Sequence, residues 1–212
     1  MIGILMALQV NNWNEERSIR REFDSSFQKL IVDLENDASM LALLDSFYQE
    51  SAKTGETIQR ILTRDNDMDD IVHLRSFERL SNTNLSYSSS TYRSLVNTGL
   101  LYKIDNKELA NLIDDYYVTI ENQATITENM GIANRNIRDN DVLFPFQYML
   151  RTTDDVFRAD PKPLDWMNDD QSEIFQGVQY YLRIYVRQNK SKSDMVKVSL
   201  EKNSRLRSML QK

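Results

Sequence analysis

No cysteine occurs among the 212 residues. That excludes structural disulfides, thiolate metal sites and cysteine nucleophiles, and leaves the redox compartment open. Glycine and proline number only 5 and 3. An all-β fold needs many more turn residues, so the scarcity favours long helices. The five glycines are also dispersed, which excludes a phosphate-cradling loop. His73 is the only histidine. A carboxylate-bridged di-metal bundle needs Glu-x-x-His on two helices, which one histidine cannot supply. Serine catalysis would have to use the same residue as base, and no Gly-x-Ser-x-Gly elbow is present. His73 therefore reads as a surface or packed residue. Long apolar runs are missing too. Residues 2–10 would rise about 13 Å as a helix, against a hydrocarbon core of about 30 Å, so this stretch alone cannot cross a bilayer.

The composition that remains is that of a folded chain, with 41% hydrophobic and 27% charged residues. A net charge of −6 argues against a nucleic-acid-binding surface. The charge is uneven. Residues 190–212 hold seven basic side chains (Lys190, Lys192, Lys197, Lys202, Arg205, Arg207 and Lys212) against Asp194 and Glu201, a net of +5. This is either a basic helix resting on anionic lipid or an acidic partner, or a solvated terminal face.

Apolar residues recur at Ile19, Phe23, Phe27, Leu30, Leu34, Ala38, Leu41 and Leu44 in steps of three or four. That stripe predicts one helix of about forty residues running to Gly55, followed by a brief helix at Ile58, Ile61 and Leu62. A connection is expected over 81–90, then a short helix over 91–97 closed by a positive φ at Gly99. Asp105, with Glu108 three residues on, predicts the capped start of the next helix. Its seam at Leu109, Ile113, Tyr116, Ile120, Gln123, Thr127, Met130, Asn134 and Ile137 alternates steps of four and three, with a polar second half. An irregular stretch holds Pro145, Pro161 and Pro163, with Phe144, Phe146 and Trp166 as packing anchors. A last helix is expected over 171–210 with a break near 191–193. The fold class read from these patterns is all-α: long antiparallel helices forming an elongated helical bundle, with coiled-coil rhythm.

Candidate chemistry is thin. Asp65-x-Asp67-x-Asp69 imitates the opening of a calcium loop, but Asp70 and Ser76 stand where that loop needs Gly and Glu. It reads as an acidic solvated loop. Ser88-Ser89-Ser90 reads as loop and helix cap. The adjacent acids Asp114-Asp115 and Asp154-Asp155 diverge by about 100° on a helix and cannot share a substrate. The tyrosine pairs Tyr116-Tyr117 and Tyr180-Tyr181 each place one ring in the core and its neighbour at the boundary. There they could line a pocket or an interface. No catalytic residue, cofactor or metal is assigned, and the chain is read as non-enzymatic.

The N-terminus carries the strongest pointer. Nine mostly apolar residues run into Asn11, Asn12, Trp13 and Asn14, and then into Arg17, Arg20 and Arg21. This resembles the end of a membrane helix, with Trp13 at headgroup level and the arginines beyond it. The run Gly3-Ile4-Leu5-Met6-Ala7-Leu8-Gln9-Val10-Asn11-Asn12-Trp13-Asn14-Glu15 resembles the signature of a bacterial family of uncharacterised single-span, membrane-anchored helical proteins common in Bacteroidota. A second similarity is Tyr92-x-x-Leu95-x-x-x-Gly99, ahead of a helix carrying paired tyrosines. Family members precede the first motif with a basic leader and the first half of the span.

The resemblance implies that residues 1–13 are the C-terminal half of a truncated transmembrane helix, continuous with the long first helix, and that 14–212 form one helical-bundle domain. It implies attachment to a bacterial inner membrane through the N-terminal helix, with the helical domain periplasmic, although Arg17, Arg20 and Arg21 by themselves favour the cytoplasmic side. A late start codon, a trimmed chain or the first turns of a soluble helix would each account for the short apolar stretch. The expected role is an interaction or sensory module with a protein partner or a second copy of itself. An extracytoplasmic ligand-binding four-helix-type sensor is the alternative, and an enzyme the third reading.

Overall fold

The computed structural model describes residues 2–64, 83–143, 146 and 162–211. Among them are four α-helices and no strand: α1 (Ile2–Arg64), α2 (Ser90–Asn97), α3 (Lys107–Arg138) and α4 (Glu173–Leu210). Short 3-10 turns lie at Leu101–Lys103, Asp141–Leu143 and Lys162–Asn168. The protein is an all-α helical bundle. The acidic run 65–70, His73, Phe144, Pro145, Asp154-Asp155 and Pro161 lie outside the described residues.

Contacts divide the chain into two compact units. Unit 1 comprises Met1–Met40, Ser86–Glu121 and Ser199–Lys212, and unit 2 comprises Leu41–Leu85 and Asn122–Val198. Helices α1, α3 and α4 contribute to both.

The periodicity that builds each core is a strict alternation of four- and three-residue steps. On α1 the buried seam is Leu30, Leu34, Asp37, Leu41, Leu44, Tyr48, Ser51, Gly55, Ile58 and Leu62. On α4 it is Val178, Leu182, Tyr185, Asn189, Lys192, Val196, Ser199, Asn203 and Leu206. The α3 seam lies where the sequence pattern puts it, with Met130 and Ile137 half-buried and the rest buried. A 3.5-residue period keeps one stripe of each helix turned inward, as in coiled coils. Each fully buried leucine or isoleucine contributes about 1.5–3 kcal/mol relative to exposure. In unit 2, Ile58, Leu62, Leu143, Val178, Tyr181 and Leu182 cluster with Phe146 and Trp166, whose rings meet edge-on at 6.3 Å.

Three expected boundaries move. Helix α1 does not stop at Gly55 but continues to Arg64. Gly55 serves close packing rather than a turn, because a Cβ there would lie 2.6 Å from Val186 Cγ2 on α4. Helix α4 is unbroken at 191–193; Ser193 is buried and its hydroxyl donates to Asp45 on α1. The α3 cap is Asn106, not Asp105. The Asn106 side-chain oxygen accepts the Leu109 N–H at 3.2 Å, and Glu108 faces Arg205 instead of closing a capping box. At the end of α2, Gly99 takes φ 71°, as the sequence requires.

Candidate functional site

The N-terminal turns of α1 are helical and unpacked. Met6, Val10 and Trp13 are exposed at 63%, 57% and 58%, and the buried seam begins only at Leu30. Asn11, Asn12, Asn14, Arg17, Arg20 and Arg21 are exposed as well. The Arg17 guanidinium sits 5.5 Å above the Trp13 ring, and Arg21 Nε donates to the Arg17 carbonyl. This places an aromatic ring and its flanking cations on one face of the helix. No helix among the described residues is long and apolar enough to cross a membrane. Gly3 is in the helix.

The second motif converges with the tyrosine pair inside unit 1. Leu95 is buried and Tyr92 lies flat on Tyr117, with ring centroids 4.3 Å apart and 9° between planes. Tyr117 meets Tyr116 edge-on at 5.0 Å. Both rings of the first pair are therefore buried, which corrects the expectation of one at the boundary; α2, through Tyr92, covers Tyr117. The second pair behaves as read, with Tyr181 buried and Tyr180 half exposed.

Under these rings lies a polar layer that the apolar pattern concealed. Asp37 takes a seam position on α1. Its Oδ1 accepts the Ser88 N–H at 2.7 Å, and its Oδ2 accepts the Tyr116 hydroxyl at 2.9 Å. Tyr116 oxygen in turn accepts from Asn203 Nδ2 at 3.3 Å, and the same amide donates to the Leu34 carbonyl at 2.9 Å. One layer thus joins α1, α3, α4 and the segment before α2. Burial raises the Asp37 pKa above the ordinary carboxylate value, against the lowering influence of the Ser88 and Tyr116 hydrogen bonds. Burial also raises Tyr116 and Tyr117, with Asp37 adding to both. Asp33 Oδ2 and the Tyr117 hydroxyl are buried without a hydrogen-bond partner. The Tyr92 hydroxyl donates to Asp114 while Asp115 faces Lys202, so these adjacent acids do diverge. Ser89 occupies the α2 cap position, but no side chain hydrogen bond caps the helix.

Unit 2 holds a second buried polar layer. Lys192 is 1% exposed, and its ammonium lies 5.5 Å from the Tyr48 ring centroid. Burial, and secondarily Arg135, lowers its pKa to about 8. Asp45, the seam-edge carboxylate of α1 here, is engaged by Ser193, Gln49 and Lys197.

The basic C-terminal stretch is spent on α1 and α3 rather than presented as one face. In unit 1, Lys202, Arg205 and Arg207 pair with Asp115, Glu108 and Glu35. In unit 2, Lys190 and Lys197 pair with Glu56 and Asp45. Such exposed pairs contribute about 0–1 kcal/mol each.

Comparison with protein-family models, curated proteins and solved structures gives no match. Among the described residues no group of three or more His, Asp or Glu side chains could hold a metal ion. A groove of about 490 Å³ in unit 2 runs between the end of α3 and the start of α4, lined by Ile137, Asn140, Leu143, Gly177 and Tyr180 among others. Among its described lining residues there is neither a pair of acids nor a base poised on a nucleophile.

Proposed function

We propose that this chain is a non-enzymatic interaction or sensory module, held at a bacterial inner membrane by the N-terminal end of α1. The observation that carries the reading is the contrast along that helix. Its first turns expose Met6, Val10 and the Arg17-capped Trp13, whereas the same helix from Leu30 onward is committed to the core. An aromatic ring with flanking cations and unpacked apolar neighbours is the chemistry of a membrane interface. The similarity of residues 3–15 to a membrane-anchored family supports the same placement, with the helical domain on the periplasmic side.

Trp13 provides the test, because the other tryptophan, Trp166, is buried. Vesicles of mixed neutral and anionic lipid should shift Trp13 emission to the blue, and lipid-borne quenchers should reduce it. Trp13→Phe should remove that signal while leaving Trp166 emission unchanged. Emission that ignores vesicles at every lipid composition would refute attachment through this segment. A second reading, a small-molecule sensor, is favoured by the groove at Tyr180, half exposed on its wall. Substitution Tyr180→Ala would then abolish ligand-dependent stabilisation without affecting vesicle binding.

A further inference from the structure

The groove of unit 2 has an apolar floor and a polar rim. On the floor Leu143 is buried, and Ile137, Val142 and Gly177 are half-buried. Gly177 lets the turn Asp141–Leu143 settle close onto α4, since a Cβ there would stand 3.1 Å from Leu143 Cδ2. Two rim amides are engaged in holding the walls. Asn140 Oδ1 accepts the Val142 N–H at 2.9 Å, and Gln176 Nε2 donates to the Asp170 carbonyl at 3.3 Å. The space of about 490 Å³ falls within the range of about 300–1,000 Å³ that small-molecule sites occupy.

The rest of the rim sets the charge of an occupant. Glu173 is the one charged side chain on the described lining, and no cation among the described residues pairs with it. Tyr180 follows it by seven residues, so both stand on one face of α4, about 10 Å apart along the axis. Gly177 lies between them and adds no side chain. Two helix ends meet at this groove, and the carbonyl end of α3 favours a cation where the amide end of α4 favours an anion. Side-chain charge decides between them. Over residues 135–143 and 165–177, Asp139, Asp141, Asp165, Asp169, Asp170 and Glu173 stand against Arg135 and Arg138, a net of −4.

We propose that this groove binds a small organic monocation, an amine carried on a short arm from an aromatic ring. The ammonium donates to the Glu173 carboxylate at one end. The ring lies over Gly177 against Leu143 and Ile137, and the Tyr180 ring packs on it from the rim at the other end. A neutral analogue keeps the apolar contacts and loses the ion pair, and an anionic one meets the net negative surroundings. This ligand class rests on the sensor reading of the groove, and neither depends on membrane attachment.

The test is a saturation-transfer NMR titration of the full chain with phenethylamine, phenethyl alcohol and hydrocinnamate, three probes alike in ring and arm and different in charge. Wild type should bind the amine about tenfold more tightly than the alcohol, a partly solvated carboxylate giving less than a buried one. Hydrocinnamate should bind most weakly. Glu173→Gln should bring the amine down to the level of the alcohol while the alcohol stays unchanged, which also shows that the groove has kept its shape. Tyr180→Ala should weaken amine and alcohol by the same factor, and Tyr180→Phe should restore both. Equal affinity for amine and alcohol, tightest binding of hydrocinnamate, or an amine preference that survives Glu173→Gln would overturn the ligand class and leave the groove as a sensor site. Failure of wild type to bind any of the three would overturn both.

Discussion

Tyr116→Phe removes a single oxygen from a ring with no solvent exposure, so it tests the Asp37 layer without opening a cavity. That oxygen donates to Asp37 at 2.9 Å and accepts from Asn203 at 3.3 Å. A hydrogen bond to a charged group contributes about 1.5–3 kcal/mol. Asn203 keeps its shorter bond to the Leu34 carbonyl, so its share of the loss is small. The expected destabilisation is about 2–3 kcal/mol, read as a lower urea midpoint at unchanged m-value by far-UV circular dichroism. Asp37→Asn should cost under about 1 kcal/mol, since it relieves charge burial and the amide oxygen still accepts the Ser88 N–H. In that background Tyr116→Phe should cost only about 1 kcal/mol, a coupling of about 1–2 kcal/mol.

The pH dependence carries the same signature. The Tyr116 bond favours the carboxylate, so its loss pushes the already raised Asp37 pKa higher. A raised carboxyl pKa means that the folded chain binds more protons than the unfolded one as pH falls toward it. The Tyr116→Phe penalty must therefore be largest at neutral pH and shrink in acid, as Asp37 protonates. Additivity of the two substitutions within about 0.5 kcal/mol, or a penalty that grows in acid, would refute the assignment of this bond as the layer's main polar contribution.

Lys192 makes an opposite prediction in base. Its pKa of about 8, against 10.5 for a free lysine, means that the folded chain binds fewer protons between those values. Stability should rise by up to about 3 kcal/mol from pH 8 until unfolded tyrosines ionise near pH 10, and then fall. In Lys192→Met the rise should vanish, with stability at neutral pH about 1–3 kcal/mol above wild type; a wild-type profile flat across that window refutes the burial cost. Gly55→Ala should destabilise by about 1–2 kcal/mol despite the roughly 1 kcal/mol gain in helix propensity, because its Cβ would meet Val186 Cγ2 at 2.6 Å. Recovery in Gly55→Ala with Val186→Ala, measured by urea unfolding, checks the cause. Gly99→Ala should cost about 1 kcal/mol through its φ of 71° alone, and Gly99→Asn less, since nothing lies within 4 Å of a Cβ there. Equal Tm for the two variants would remove backbone strain as the explanation.

The helices were legible because period is a property of sequence, whereas the polar layers belong to the seam and not to hydrophobicity. Counting apolar residues led from Leu34 to Ala38 and past Asp37, although the four–three rhythm from Leu30 to Leu62 puts Asp37 inside. The same rhythm on α4 buries Asn189, Lys192, Ser199 and Asn203 in a stretch whose composition reads as a basic surface. Charge counting sums over all faces of a helix, and burial selects one. Tyr117 was misplaced for a different reason. Its cover is Tyr92 on α2, a tertiary contact that no local pattern encodes. Gly55 misled because a glycine that lets a helix approach and one that ends a helix are alike in sequence.

The polar seam positions also limit what the bundle can be for. Leucine at position 37, 116 or 203 would give a more apolar core, so bonded polar groups there are costly choices unless they specify pairing or respond to something. In unit 1 the layer is nearly closed by its own bonds and links four segments, which fixes register. In unit 2 the ammonium of Lys192 and both ends of Asn134 are left without such closure. A layer closed by its own bonds specifies structure, and one left open carries an uncompensated burial cost. Sensitivity to pH above 8 is therefore expected from Lys192 rather than from Asp37. The rise in stability above pH 8 should therefore persist in Tyr116→Phe and vanish in Lys192→Met.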